Sequence, residues 1–286
     1  MRSIREVLAQ DGRALQNTLS LTAQDARSEA QSLLQHALGV NRAWLLAHPE
    51  QVPDAERQAA YAKLLQRRLG GEPIAYILGE REFFGLTFKV TPATLIPRPE
   101  TELLVELALA HLPPQGRVLD LGTGSGAIAL SIAHARADSQ VMAVDASAEA
   151  LEIARQNGER LGVGNLCFKH SDWFAALAAE RFDLIVSNPP YIAANDEHLA
   201  RGDLRFEPRA ALASGADGLD GIRRIIAGAG AHLDTAGWLL LEHGYDQADA
   251  VRTLLLTNGF TKVFSANDLS GIERVSGGMA LAGTQI

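Results

Sequence analysis

Apolar residues recur three and four positions apart through the first ~75 residues, in SIREVLAQ, DARSEAQSLLQHALG, NRAWLLAH and DAERQAAYAKLLQRRLGG, and this spacing predicts a run of amphipathic helices. Asp25 and Asp54 stand where helix N-caps belong, and Gly39 and Gly70 where helices stop. The period changes near Arg81, where REFFGLTFKVT alternates about a glycine and predicts a hairpin. A helix over PETELLVELALAHL follows it.

Short apolar runs then alternate with helical patterns. RVLDLG, QVMAVDA, LCFKHSD, FDLIVSN and WLLLEHG have strand length, and AIALSIAHARA, AEALEIARQNGERLG and DQADAVRTLLLTNG have helical spacing. That order predicts an α/β fold, a doubly wound and mostly parallel sheet with helices on both faces. Such sheets bind ligands outside the carboxyl ends of their strands. The chemistry is therefore expected just after each apolar run.

Composition narrows the class. At 286 residues, 47% hydrophobic and 21% charged, the chain is an ordinary globular protein of one large or two modest domains. No apolar run approaches the ~20 residues of a membrane-spanning helix. The opening MRSIREVLAQDGRAL is charged throughout and lacks the apolar block of a secretory signal, so a cytoplasmic protein with no membrane partner is expected. One cysteine, Cys167, excludes an internal disulfide and a multi-cysteine metal site, and no metal is expected. The net charge of -8, with basic residues clustered only in QRRLG and GIRRI, argues against an extended nucleic-acid face.

The first strand runs into DLGTGSGAIAL at 120–130. Glycines there let a ligand approach the backbone and turn the first N–H groups of the next helix toward it. Gly122, Gly124 and Ala127 also satisfy a loose dinucleotide pattern, so this loop is compatible with a nicotinamide cofactor or with S-adenosylmethionine. Asp145, 23 residues beyond Gly122, is placed to accept from two ribose hydroxyls, which suits either ligand. Ser147 is better placed than Asp145 to cap the next helix. In HSDWF, Asp172 can accept from an adenine amino group and Trp173 can pack on the adenine face or fill the core.

The fourth strand ends in SNPPY, 187–191. Two prolines stop the ladder and stiffen the turn, which fixes the direction of the Pro189 carbonyl beside the amide oxygen of Asn188. Together these acceptors can take both hydrogens of a planar –NH₂ group. Such a nitrogen is a poor nucleophile because its lone pair is delocalised, so holding it in line with a methyl sulfonium is the main service a protein can offer. Tyr191 can stack on the substrate plane.

DLGTGSG, VDAS and SNPPY, in this order, resemble the amino-methyltransferases, a seven-stranded, Rossmann-like, S-adenosylmethionine-dependent fold. The resemblance extends nearly end to end through EPIAYILGEREFFG, LIPRPETE, SDWF, NPPYI, EPRAAL, DGL and LLLEHG, and with the helical amino-terminal region it is similar to the release-factor glutamine methyltransferases, the PrmC/HemK family, LIPRPETE favouring these over a sibling family that modifies a ribosomal protein's glutamine. It implies S-adenosyl-L-methionine as cofactor and the glutamine amide of the Gly-Gly-Gln motif in peptide chain release factors as methyl acceptor, with release factors as protein partners. Carried over by motif, Gly122, Thr123, Gly124, Ser125, Gly126, Asp145, Trp173 and Asn188 contact the cofactor or lie beside it, and Asn188, Pro189, Pro190 and Tyr191 grip the glutamine. The expected layout is a helical substrate-recognition domain at 1–78, a hairpin linker at 79–98 and the catalytic domain at 99–286.

Other positions are less determined. Arg98, Glu100 and Glu102 either line the substrate mouth or serve the start of a helix. His243, after the fifth strand beside Glu242, is expected to be structural. AANDEHLARGDLRFEPRAAL is long enough to be a mobile loop, and no role follows from sequence for Glu207, Pro208 and Arg209 within it. Two rival classes remain: a nucleic-acid amino-methyltransferase, which calls for a basic face, and a nucleotide-binding regulatory module, which has no use for NPPY.

Overall fold

A computed structural model describes residues 2–281. The chain folds into two compact units, one made of Met1–Gly79 with Ala200–Phe206, the other of Glu80–Leu199 with Glu207–Ile286. The hairpin expected as a linker belongs to the second unit.

The first unit contains five helices among the described residues: α1 (Ile4–Leu19), α2 (Ala23–Leu38), α3 (Arg42–Ala47), α4 (Ala55–Leu69) and α5 (Ile74–Leu78). Ser3 and Glu6 start α1 with a reciprocal capping box, satisfying two amide groups that the first turn leaves open. Asp54 caps α4 and Gly39 ends α2 in the left-handed region, as expected. Asp25 is not a cap. Thr22 caps α2, and Asp25 sits in the first turn, where it accepts the Thr22 hydroxyl at 2.7 Å. Leu15, Leu33, Leu34 and Leu45 close the core. Arg68 is only 3% exposed; it forks onto Glu29 at 2.7 and 3.1 Å and reaches Asp203 at 3.1 Å. The stretch read as a mobile loop thus carries an anchored segment, and it winds into short 3-10 turns at Glu197–Ala200, Gly202–Phe206 and Arg209–Ala211.

The second unit opens with the hairpin β1 (Glu80–Phe83) and β2 (Leu86–Lys89), followed by α6 (Glu102–His111). The remaining elements are β3 (Arg117–Leu121), α7 (Ala127–Ala135), β4 (Gln140–Asp145), α8 (Ala148–Leu161), β5 (Leu166–His170), β6 (Phe182–Ser187), α9 (Asp220–His232), β7 (Leu233–Glu242), α10 (Ala248–Thr257), β8 (Thr261–Asn267) and β9 (Glu273–Met279). Seven of these strands form one sheet in the order β5-β4-β3-β6-β7-β9-β8. The first five are parallel and β9 is antiparallel to both its neighbours.

Because successive side chains of a strand point to opposite faces, the central strands must be apolar at nearly every position. Val118 and Leu184 pack with α6 and α7 on one face, and Leu119 and Ile185 pack with α9 and α10 on the other. The strand order reverses between β3 and β6, which opens a crevice at their carboxyl ends. β8 and β9 escape a periodicity search because polar residues and glycine interrupt them. A Cβ on Gly277 would come within 2.5 Å of Leu240 Cδ2, so that strand needs glycine for close packing although glycine weakens its pattern.

Candidate active site

Hydrogen bonds to β4 hold the glycine loop after β3. The N–H groups of Gly122 and Thr123 both donate to the Val144 carbonyl, at 2.9 and 3.0 Å. Gly122 and Gly124 have φ of +75° and +57°, a region in which side-chain-bearing residues are strained. No atom lies within 4 Å of where a Gly124 Cβ would stand, so conformation rather than a protein neighbour requires glycine there. Gly126 differs: a Cβ would meet Leu130 Cδ1 at 2.9 Å and Ala154 Cβ at 3.2 Å, so its bareness serves helix packing.

Asp145 ties the loops after β3 and β4 together. Its Oδ2 accepts the Gly124 N–H at 2.8 Å and its Oδ1 accepts the Ser147 N–H at 2.8 Å, while Ser147 caps α8. Each carboxylate oxygen retains a lone pair for a ligand hydroxyl. Asn157, fully buried on α8, bonds both the N–H and the C=O of Lys89 and also donates to the Ser125 carbonyl at 2.9 Å, fastening β2 to the glycine loop. Its sequence signal is a lone amide on the apolar side of an amphipathic helix.

A cavity of about 510 Å³ lies over these loops, lined by Gly122, Gly124, Asp145, Asp172, Trp173, Asn188 and Pro190 and also by 92–95 and Pro208. Seven of the residues singled out from sequence therefore meet at one place. Thr123, Ser125, Gly126, Arg98, Glu100, Pro189 and Tyr191 do not line it. Thr123 donates its hydroxyl to Asp120 Oδ2 at 2.7 Å. Burial, opposed by that hydrogen bond and reinforced by the nearby Asp145 charge, pushes the Asp120 carboxyl up to about 7. Asp172 forms a 2.8 Å ion pair with Arg224 on the exposed rim, a kind of pair worth about 0–1 kcal/mol.

At the end of β6, the Ser187 hydroxyl donates to the Leu121 carbonyl at 2.6 Å. The amide nitrogen of Asn188 donates to Thr101 Oγ1 at 3.2 Å, which leaves its oxygen toward the cavity. Neither that oxygen nor the Pro189 carbonyl accepts a hydrogen bond from any described residue. Tyr191 packs into the apolar layer behind the turn and donates to Glu242 Oε1 at 3.3 Å. Burial, followed by the Glu242 charge, raises its phenol above the ordinary range.

Glu207, which had no role from sequence, is fully enclosed; it accepts the Ile96 N–H at 3.0 Å and pairs with Arg98. Arg98 is therefore a strut for the segment forming one cavity wall. Arg209 donates to the Ala194 carbonyl at 2.8 Å, within the same loop. Glu102 accepts the Phe84 N–H at 2.9 Å and closes the hairpin turn, and Glu100 is exposed. His243 is structural, as expected: Nδ1–H donates to the Gly244 carbonyl at 2.9 Å, Nε2 accepts from Ser276 at 2.8 Å, and burial lowers its pKa, keeping the ring neutral.

Family models match two parts of the chain, "Methyltransferase small domain" over 99–206 and "PrmC N-terminal domain" over 13–79. A release factor glutamine methyltransferase of Bordetella pertussis is 54% identical over 255 residues, covering 88% of this chain and 94% of that protein. The chain belongs to the release factor glutamine methyltransferase family. It is a methyltransferase. A second relative of the same description, from Burkholderia pseudomallei, is 55% identical and covers 87% of this chain and 90% of its own length. Among solved structures, a methyltransferase from Pyrococcus furiosus superposes with a TM-score of 0.54 at 20% identity, covering 77% of this chain and 99% of that one, and shows the same Rossmann-like fold. No helix among the described residues is long and apolar enough to cross a membrane.

Proposed function

We propose that this methyltransferase uses S-adenosyl-L-methionine to methylate the side-chain amide nitrogen of the glutamine in the Gly-Gly-Gln motif of peptide chain release factors, in the cytoplasm. The observation that carries the reading is the pair of open acceptors on consecutive residues, Asn188 Oδ1 and the Pro189 carbonyl, in a turn stiffened by Pro189 and Pro190. They accept the two hydrogens of the glutamine –NH₂ and aim its nitrogen at the methyl group. As the nitrogen gains a carbon its N–H bonds become more positive, the same acceptors stabilise that charge, and one of the two N–H protons is then lost to solvent as the neutral methylated amide forms.

The cavity residues fit the cofactor. Gly122 and Gly124 offer bare backbone, the free lone pairs of Asp145 suit two ribose hydroxyls, and Trp173 with Asp172 supplies a flat apolar wall and an acceptor for an adenine. When bound, S-adenosyl-L-methionine supplies the methyl group on a sulfonium that departs as a neutral thioether. The cavity volume, about 510 Å³, falls within the range of cofactor sites, roughly 300–1,000 Å³. The helical unit recognises the release factor, since its helices have no evident cofactor duty.

Incubation with methyl-labelled cofactor and, separately, release factor, ribosomal RNA and duplex DNA tests the assignment. Peptide mass spectrometry is expected to find one methyl group on the Gly-Gly-Gln glutamine and none on nucleic acid. Label on RNA or DNA with none on release factor overturns it.

A further inference from the structure

Three segments that line the cavity come from separate parts of the chain: the glycine loop, the loop after β4, and 92–95. A ligand between them needs their spacing fixed. Asp145 ties the first two together through the Gly124 and Ser147 N–H groups. Segment 92–95 has other anchors. Thr91 turns it locally, its carbonyl accepting the Thr94 N–H at 2.9 Å, and Glu207 holds its far end through the Ile96 N–H at 3.0 Å. Its near end follows Lys89, the last residue of β2.

Asn157 holds that near end. β2 is half of a two-stranded sheet, so its outer edge presents backbone groups that no third strand pairs. A carboxamide carries a donor beside an acceptor, as a peptide does, and the Asn157 side chain stands in for the missing strand: its Oδ1 receives the Lys89 N–H at 2.7 Å and its Nδ2 donates to the Lys89 carbonyl at 3.0 Å. Nδ2 has a second hydrogen, and it goes to the Ser125 carbonyl at 2.9 Å. Because Gly124 and Ser125 are consecutive, the glycine loop is held by Asp145 at the first and by Asn157 at the second. Asn157 is fully buried on α8, whose cap is Ser147, so one helix meets all three segments.

We infer that Asn157 is a positioning residue for the cofactor: one buried amide sets the spacing between the glycine loop and segment 92–95, and with it the affinity for S-adenosyl-L-methionine. Neither leucine nor aspartate can replace it, although both are close to its shape. Leucine brings no polar atom, and aspartate keeps the acceptor but turns a charge toward two carbonyls. The acceptors proposed for the substrate –NH₂ stand on Asn188 and Pro189, after β6, so the effect falls on cofactor binding and not on the transfer step. This role rests on the cofactor reading of the cavity given above.

The test compares Asn157→Leu, Asn157→Asp, Asn157→Ser and a control, Asn165→Ala, in the full-length protein. Each is titrated calorimetrically with S-adenosyl-L-methionine and with its demethylated product, melted, and assayed by single-turnover methyl transfer to release factor at saturating cofactor. Asn165 is likewise an amide bonded to three carbonyls, those of Ala133, Arg136 and Ser139, but it precedes β5, at the end of the sheet away from the cavity. Asn157→Leu and Asn157→Asp are expected to bind both ligands at least about tenfold more weakly and, once saturated, to transfer within about threefold of wild type. Asn157→Ser leaves room for a water to bridge the same groups, so it is the variant that folds if the others do not, and its affinity is expected to fall at least about threefold. Asn165→Ala is expected to melt lower at unchanged affinity. Wild-type affinity in any folded Asn157 variant overturns the inference. So does an equal loss in Asn165→Ala, which makes the effect one of general stability, or a transfer rate at saturation that falls as far as the affinity. Wild-type protein that binds neither ligand removes the cofactor reading itself, and the inference with it.

Discussion

Glu207 and Arg98 form an ion pair with the carboxylate completely enclosed and the guanidinium 29% exposed, and the same carboxylate accepts the Ile96 N–H at 3.0 Å. The pair joins the segment before α6 to the stretch after β6, two parts of the chain that line the cavity through 92–95 and Pro208. Removing one partner of such a pair strands the other. Arg98→Ala, which leaves the enclosed Glu207 carboxylate without its counter-charge, is therefore expected to destabilise the protein by about 3–5 kcal/mol, measured by chemical denaturation, while Glu207→Ala, which leaves a guanidinium that reaches solvent, costs less.

Asp145→Ala removes the carboxylate proposed to hold two ribose hydroxyls and releases the Gly124 and Ser147 amides that it organises. Calorimetry is expected to show affinity for S-adenosyl-L-methionine weakened by about 1–3 kcal/mol. Wild type is expected to bind that cofactor and not NAD, whose binding the glycine loop alone leaves open. An Asp145→Ala variant that binds as tightly as wild type removes the ribose role.

Glu242 gives the stability a pH dependence. Burial raises its carboxyl from 4.5 to about 7, so the folded state prefers the protonated form and loses stability as the pH rises between those values. Glu242→Gln removes that penalty. The variant is expected to be more stable than wild type above neutrality, by on the order of 3 kcal/mol, with the advantage fading toward about pH 4.5. Melting curves of both proteins across this range check the sign; an advantage that grows on acidification contradicts it.

Much of the architecture was legible because the sheet's central strands are buried on both faces. RVLDLG and FDLIVSN carry apolar residues at nearly every position, so they read as strands, and the glycines between β3 and α7 marked the crevice. Elements whose residues serve packing at close quarters were not legible: ERVSGGM carries Gly277 against Leu240, and DGIRRIIAGAGAH, which forms α9, carries glycines that blur its helical pattern. At the site, sequence indicated residues that line the cavity through backbone or a strand end, Gly122, Gly124, Asp145 and Asn188. It missed those that brace the surrounding segments, namely Asn157, Thr101 and Glu207, because each acts across tens of residues on a partner that no local spacing reveals.

The central claim is that SNPPY grips the substrate amide through Asn188, and single-turnover methyl transfer to release factor at saturating cofactor tests it most directly. Asn188→Ala deletes one of two preorganised acceptors, so the transition state is expected to lose on the order of 2.7–4 kcal/mol, a rate lower by about a hundredfold or more, with cofactor affinity changed far less. A near-wild-type rate in Asn188→Ala would mean that SNPPY only ends a strand, and the proposed account of the reaction would fall with it.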